Sequence, residues 1–141
     1  MIYCDTSVFV AALTGEIGSE PVQAWLAQQI TDSLAISEWV GTEFTSAIAM
    51  KRRRGDFDQD GAERVLAVWD RLAAGCRVLP IRPRHFRLAS VLIGAPQSTL
   101  RSGDALHLAI VRDRDLGVAT LDRVMADRAT ILGVPVHRFH I

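Results

Sequence analysis

Ile2-Tyr3-Cys4-Asp5-Thr6-Ser7 is the segment on which the fold assignment rests. Its first three residues predict a short buried strand, and the carboxylate of Asp5 follows that strand directly. The uncharged run from Thr6 to Leu13 then predicts a helix. The rest of the chain repeats this alternation of short apolar strands and amphipathic helices.

The alternation predicts an α/β fold with a mainly parallel sheet and helices on both of its faces. Ser19, Ser37 and Ser102 are predicted helix N-caps. Uninterrupted apolar runs predict strands near 2–4, 34–36, 76–79, 117–119 and 134–136. Helices are predicted near 6–13, 19–29, 37–54, 60–74, 83–93, 102–113 and 123–132.

Composition restricts the class of protein. The 141 residues predict one domain spanning 1–141, and 49% hydrophobic residues exclude a disordered chain. Sixteen Lys and Arg balance sixteen Asp and Glu, which argues against coating of nucleic acid by bulk charge but allows a local basic groove. The two cysteines, Cys4 and Cys76, are predicted to be reduced core residues.

Location follows from the same features. The N-terminal residues lack a basic region and carry a carboxylate at Asp5, so we expect no signal peptide. The longest uncharged stretch, Leu88 to Leu100, is too short to span a bilayer. We therefore expect a cytoplasmic protein that does not bind membranes.

Acidic side chains occupy unusual positions in this pattern. Asp5 and Asp122 follow predicted strands, where ligands bind in open α/β sheets. Glu43 lies beside the apolar stripe of its helix, and Asp104 begins a helix that is apolar nearly all round. Each acid has a structural explanation by itself, as a helix cap, a dipole partner or half of an ion pair.

Taken together, these acids have a chemical explanation. Carboxylates that converge at one sheet edge must take up protons or gather cations. Oxygen ligands without Cys or His favour Mg²⁺ or Mn²⁺. Such an ion activates water and neutralises charge on a phosphate, which is a common basis for phosphodiester cleavage.

The same residues resemble a known family. Asp5-Thr6-Ser7, Glu43, Asp104-Ala105-Leu106-His107-Leu108-Ala109 and Thr120-Leu121-Asp122, in this order, are similar to the PIN domain. The chain length and the spacing resemble the VapC or FitB type of bacterial toxin ribonuclease. The resemblance covers the whole chain and implies a three-layer α/β/α sandwich with a metal-dependent RNase site.

The resemblance also implies roles. Asp5, Glu43, Asp104 and Asp122 would be the catalytic acids, and Asp5, Asp104 and Asp122 would bind Mg²⁺ or Mn²⁺. Glu43 would orient a water or a second ion, and the chain has no further acid immediately beside Asp122. Thr6 and Thr120 would hold metal-bound waters or fix a carboxylate. The implied partners are an RNA substrate, a cognate antitoxin whose C-terminal segment enters the acidic groove, and a second copy in a homodimer.

Basic residues suggest where RNA would bind. Lys51-Arg52-Arg53-Arg54 ends the helix of Glu43, and Arg101 precedes Asp104. Positive charge at a helix C-terminus is also favourable without any ligand, so both interpretations remain open.

Other residues and folds receive simpler interpretations. His107 is interpreted as a core histidine or one that supports the site, and Trp25, Trp39 and Trp69 as core or dimer contacts. A receiver-type phosphoacceptor needs a downstream Lys, but Lys51 is the only Lys and comes too early. A haloacid-dehalogenase phosphatase needs Asp-x-Asp, but Ser7 replaces the second acid. The alternative function is a catalytically idle PIN-like module that binds protein.

Overall fold

A computed structural model describes residues 1–30 and 32–139. The strands are β1 (Ile2–Cys4), β2 (Leu34–Ile36), β3 (Arg77–Val78), β4 (Gly117–Thr120) and β5 (Val136–Arg138). The helices are α1 (Thr6–Thr14), α2 (Ser19–Ala27), α3 (Glu38–Arg54), α4 (Gln59–Ala74), α5 (Pro83–Gly94), α6 (Ser102–Asp113) and α7 (Arg123–Ile131).

The strands form one parallel sheet in the order β3-β2-β1-β4-β5. In register, Tyr3 of β1 lies beside Ala35 of β2 and Val118 of β4. Helix α1 packs on α2, α3 and α4, whereas α6 packs on α5 and α7. The architecture confirms the expected α/β sandwich with a parallel sheet.

The core lies around the central strands and α6. The fully buried residues of β1 and β4 include Tyr3, Cys4, Val118 and Ala119. Residues 105–111 of α6 are all buried, so this helix is enclosed as its sequence predicts. Each large apolar side chain buried in this way contributes about 1.5–3 kcal/mol to stability. Because parallel strands point the same way, their carboxyl ends meet at one edge, which is where the acids follow.

The edge strands differ from the prediction. The last strand was predicted at 134–136 but forms at Val136–Arg138. Pro135 has no N–H to donate to a ladder, and its carbonyl instead accepts from Val118 at 2.9 Å. Strand β3 is limited to two exposed residues. Cys76, which was predicted to begin this strand, precedes it, and its thiol donates to the Leu72 carbonyl at 3.4 Å.

Two of the three predicted serine N-caps are wrong, and the position of the third is confirmed. Gly18 and Arg101 occupy the N-cap positions of α2 and α6, so Ser19 and Ser102 are the first helical residues. Ser37 occupies the N-cap position of α3, but its hydroxyl makes no capping bond. Within the described residues, no helix combines the length and the apolar character that a membrane crossing needs.

Candidate active site

Asp5 is fixed by hydroxyl and amide donors at the end of β1. It caps α1: its Oδ1 accepts from the Ser7 amide at 3.1 Å and from the Ser7 hydroxyl at 2.5 Å. Its Oδ2 accepts from the Thr120 hydroxyl at 2.7 Å, and the Val8 amide donates to the same carboxylate. The Ser7 hydroxyl also accepts from the Leu121 amide at 2.9 Å. These bonds join the ends of β1 and β4 and hold the carboxylate in one orientation.

The pKa of Asp5 reflects this buried position. Only 4% of the residue is exposed, and the loss of hydration raises the pKa above its usual value. The electrostatic interaction with His107 and the hydrogen bonds from Ser7 and Thr120 oppose that rise without cancelling it. Ionisation of Asp5 in the folded protein is therefore less favourable than in water.

Glu43 reaches the same edge from the second turn of α3. Its Oε2 accepts from the Thr6 hydroxyl and lies 2.7 Å from Nε2 of His107. Burial alone would raise the pKa of Glu43, but the hydrogen bonds from His107 and Thr6 and the field of His107 outweigh burial and lower it. Glu43 is thus ionised in the site at neutral pH. The Trp39 indole N–H faces this carboxylate without a hydrogen bond of good geometry.

Asp104 and Asp122 complete the acidic group. Asp104 lies in the first turn of α6 and is half-buried, and its carboxylate accepts from the Arg101 amide. Asp122 caps α7 by accepting from the Met125 amide at 2.8 Å. Burial raises the pKa of Asp104, and the negative charges of Asp122 and Glu43 raise it further. Like-charge repulsion therefore acts directly between the carboxylates of this group.

The structure brings together the acids that the sequence singled out. Asp104 interacts electrostatically with Asp122 and Glu43 at the carboxyl edge of the sheet. Asp5 joins this group through Thr120, which also accepts from the Asp122 amide, and through His107. Both supporting threonines bind carboxylates, Thr6 that of Glu43 and Thr120 that of Asp5. We call this set of acids and threonines the acidic site.

The predicted RNA-binding cluster lies elsewhere. Lys51 is eight residues beyond Glu43 on α3, which is about 12 Å along the helix axis. Its ammonium pairs with Glu16, while Arg54 pairs with Asp56 at 3.0 Å. Arg52 and Arg53 are exposed nearby, and Arg52 donates to Gln59 at 2.5 Å. Arg101 alone of the predicted basic residues adjoins the acidic site, through its amide to Asp104.

Several residues that support the acidic site were not predicted to do so. Ser7 was noted only as part of a motif, yet it binds Asp5 and the strand after it. Tyr3 was interpreted only as a strand residue, and Ser37 only as a cap, yet their hydroxyl oxygens lie 2.8 Å apart. His107 lies between Tyr3 and Glu43, in agreement with the interpretation that it supports the site. Trp39, interpreted as a core or dimer contact, lies beside Glu43.

The donor set suits a hard divalent cation. In the described part of the chain, no group of three or more His, Cys, Asp and Glu side chains is arranged to hold a metal ion by itself. Mg²⁺, however, is usually bound through one or two carboxylates together with waters and substrate phosphates. The repulsion that raises the pKa of Asp104 is the condition that such a cation would relieve. The residues present therefore fit Mg²⁺ or Mn²⁺.

An open depression adjoins the acidic site. It has a volume of about 430 Å³ and includes Thr120, Asp122, Arg123, Arg138 and Phe139 in its lining. Arg138 donates to Asp127 at 2.8 Å, so its guanidinium is held at the rim. Both carboxylate and guanidinium groups line the depression, and guanidinium groups are suited to binding phosphates.

Known structures share this fold. Over 90% of this chain and 94% of the other, the fold matches the Mycobacterium tuberculosis VapC20, a sarcin-ricin loop cleaving toxin, with a TM-score of 0.69 and 21% identity. FitAcB from Neisseria gonorrhoeae matches with a TM-score of 0.71 and 22% identity over 96% of both chains. VapBC2 from Rickettsia felis, bound to a promoter DNA fragment, matches with a TM-score of 0.70 and 14% identity over 99% and 100% of the two chains.

Sequence comparison identifies the family more directly. No curated protein matches the chain. The family model of the PIN domain matches residues 2–131, which includes every member of the acidic site. The chain belongs to the PIN domain family.

Proposed function

We propose that this protein is a divalent-metal-dependent ribonuclease that acts as the toxin of a toxin–antitoxin pair. The observation that carries the proposal is the convergence of Asp5, Glu43, Asp104 and Asp122 at one sheet edge. Membership in the PIN family and the fold shared with VapC20 support it.

Asp5, Asp104 and Asp122 are the residues that would hold Mg²⁺ or Mn²⁺. When bound, the cation supplies an acidified water and neutralises charge that develops on the scissile phosphate. Asp5 contributes a carboxylate whose orientation is fixed by Ser7 and Thr120. Asp104 and Asp122 are half-buried, so their carboxylates remain accessible to substrate and solvent.

Glu43 has a different role in this proposal. Its carboxylate is ionised because His107 and Thr6 donate to it, so it accepts a hydrogen bond from a water rather than donating one. A water held in this way is oriented for attack on phosphorus, which lowers the entropic part of the barrier. Glu43 is therefore assigned the positioning of the nucleophilic water.

The depression beside Asp122 provides room for RNA. Arg123 and Arg138 line it, and Arg101 lies at the start of α6. Guanidinium groups bind phosphates through paired donors, so we assign these residues to the RNA backbone. Lys51-Arg52-Arg53-Arg54 lies farther from the acids and would contact a longer RNA, which the salt dependence of binding would reveal.

Partners are proposed from the fold relatives. VapC20 is a toxin, and a Klebsiella pneumoniae relative of the same fold is a toxin–antitoxin complex. We propose that this chain also has a cognate antitoxin and forms a homodimer. An antitoxin segment with a basic side chain would neutralise the acidic site in the way that a cation does.

Replacement of Asp104 tests the nuclease proposal. We expect Asp104→Asn to abolish RNA cleavage in Mn²⁺, because a ligand and a charge are both lost. Asp70→Asn, at an exposed position of α4, is the matched control and should cleave like the wild type. Undiminished cleavage by Asp104→Asn would overturn the assignment of the site. Absence of cleavage by the wild type would favour the idle protein-binding module.

Growth of a host cell tests the toxin proposal separately. We expect expression of the wild type alone to arrest growth, and Asp104→Asn to have no effect. Co-expression of the antitoxin encoded beside it should restore growth. A wild-type protein that cleaves RNA in the test tube but never slows growth would contradict the toxin role and leave the nuclease role intact.

A further inference from the structure

A row of hydrogen-bonded polar side chains leads from Glu43 into the core. Nε2 of His107 lies 2.7 Å from Oε2 of Glu43, and Nδ1 of His107 lies 2.8 Å from the Tyr3 hydroxyl. The Tyr3 oxygen lies 2.8 Å from the Ser37 hydroxyl. His107, Tyr3 and Ser37 are 2%, 0% and 1% exposed, so water does not compete for these bonds.

The Glu43 carboxylate can only accept, so the Nε2–H of His107 is the donor between these two residues. The hydroxyls of Tyr3 and Ser37 can each donate and accept, and they complete the bonds on the Nδ1 side of the imidazole. Every buried polar atom in the row then has a partner. The row thus ends in an N–H donor aimed at the Glu43 carboxylate.

The backbone at Gly103 packs closely against the Glu43 side chain. A Cβ atom added to Gly103 would lie 2.7 Å from Oε1 of Glu43 and 3.3 Å from the Trp39 indole nitrogen. Because real Cβ contacts are longer, an alanine here would displace the end of the Glu43 side chain from this position. Gly103 is helical and has no positive φ, so the space is its distinguishing requirement.

We propose that His107, Tyr3 and Ser37 are positioning residues that hold the Glu43 carboxylate in one orientation, and that Gly103 leaves the space for it. The inference rests on the proposed nuclease function and deepens it. A free glutamate side chain samples many rotamers, whereas a fixed one is ready for its role before substrate binds. His107, Tyr3 and Ser37 act through Glu43 and do not touch the substrate.

A structural purpose alone explains these residues less well. Apolar side chains of similar size can fill a core as stably as a buried polar network. Ser37 also occupies the N-cap position of α3, yet its hydroxyl contacts Tyr3 instead of the helix amides. The Ser37 hydroxyl therefore does not stabilise the start of α3 and instead connects to His107 through Tyr3, and thereby to Glu43.

Kinetics of Tyr3→Phe and Gly103→Ala test the proposal on a mixed-sequence fluorogenic RNA oligonucleotide in Mn²⁺. We expect kcat to fall about tenfold in each variant, with KM changed by less than about twofold, because binding contacts remain. Ser19→Ala removes another buried hydroxyl, which binds the Ala11 carbonyl at 2.5 Å, and is the control for Tyr3. Gly94→Ala, where no atom lies within 4 Å, is the control for Gly103.

Two His107 variants separate positioning from packing. His107→Gln places an amide N–H where Nε2 donates to Glu43, whereas His107→Asn places polar atoms nearer the Nδ1 position. We expect His107→Gln to retain several-fold more kcat than His107→Asn at equal folded fraction, which is measured by circular dichroism. A purely structural role predicts that kcat follows folded fraction alone in both.

The outcomes distinguish the inference from the function on which it rests. If the wild type cleaves, Asp104→Asn does not, and Tyr3→Phe and Gly103→Ala match their controls, the positioning network is wrong and the nuclease stands. Equal kcat of folded His107→Gln and His107→Asn would likewise overturn it. If the wild type fails to cleave, both proposals are overturned.

Discussion

The pKa of Asp104 shows most clearly that the carboxylates of the acidic site repel one another. A carboxylate in the first turn of a helix is normally stabilised by about 0.3–1 kcal/mol. Here burial and the charges of Asp122 and Glu43 nevertheless raise the pKa of Asp104. The unfavourable effects therefore exceed the favourable helix terminus, and the ionised residue costs stability in the absence of a cation.

The stability of Asp104→Asn follows from this balance. A group with a raised pKa in the folded state contributes stability below its unfolded pKa, near 3.9, and loses that contribution as pH rises through the raised pKa. At pH 7 without metal we expect the neutral variant to melt about 1–3 °C higher, a small shift because solvent screens the half-exposed carboxyl. Calorimetry in chelator checks it, and a lower melting temperature would contradict the repulsion.

Tyr3 offers a spectroscopic test of the buried network, since it is the only tyrosine in the chain. Burial raises its pKa far above the usual value, and the charges of Asp5 and Glu43 add to the rise. The stabilising effect of the neutral phenol is complete below about pH 10 and is lost as pH rises further.

We therefore expect tyrosinate absorbance in alkaline titration to appear only with unfolding. Circular dichroism recorded on the same sample supplies the comparison. Tyrosinate formation near pH 10 in a protein that is still folded would show that the hydroxyl is accessible and that the network is absent.

The sequence predicted the acidic residues of the site better than the hydroxyl groups that bind them. An acid that follows an apolar strand is visible because its position is costly, as with Asp5. The hydroxyl of Ser7 carries no such signal, because its partner Leu121 is 114 residues away. Tyr3 lies 104 residues from His107, so their contact exists only after the sheet has formed.

At the scale of elements, α5 and α6 are joined through Asp113. Arg84 donates to both of its carboxylate oxygens at 2.8 Å, and Nε2 of buried His85 lies 2.9 Å from Oδ2. These donors, Arg84 above all, lower the pKa of Asp113 well below its usual range. No local sequence pattern marks this acid, because its partners Arg84 and His85 lie on another helix.

We expect Asp113→Ala to destabilise the fold by about 1–3 kcal/mol, because buried His85 loses the acceptor for its N–H. Asp127→Ala, which removes a more exposed ion pair with Arg138, is the matched control and should cost less. Chemical denaturation at pH 7 measures both. Equal losses in the two variants would show that His85 finds another partner.

The central elements were predictable and the edge elements were less so. β1, β2 and β4 have uninterrupted apolar runs because neighbours cover them, and the predicted runs coincide with the observed strands to within a residue. β3 and β5 lie at the edges and include exposed residues, so apolarity does not define their bounds. Backbone donors, such as the one Pro135 lacks, determine them instead.

At the scale of the molecule, the parallel topology gathers the acidic site. Alternating strands and helices predicted the sheet, but the order β3-β2-β1-β4-β5 depends on packing that no local pattern encodes. That order places β1 beside β4, so Asp5 and Thr120 meet although 115 residues separate them. The depression lined by Arg123 and Arg138 also arises only from this assembly.

The most direct test of the cation site is the melting temperature of the wild type and Asp104→Asn, with and without Mn²⁺. Mn²⁺ at ten times its Kd should stabilise the wild type by about 1.4 kcal/mol, or roughly 3–6 °C. We expect this rise for the wild type and little or none for Asp104→Asn. An unchanged wild type at millimolar Mn²⁺, or equal rises in both proteins, would contradict a cation site built from these carboxylates.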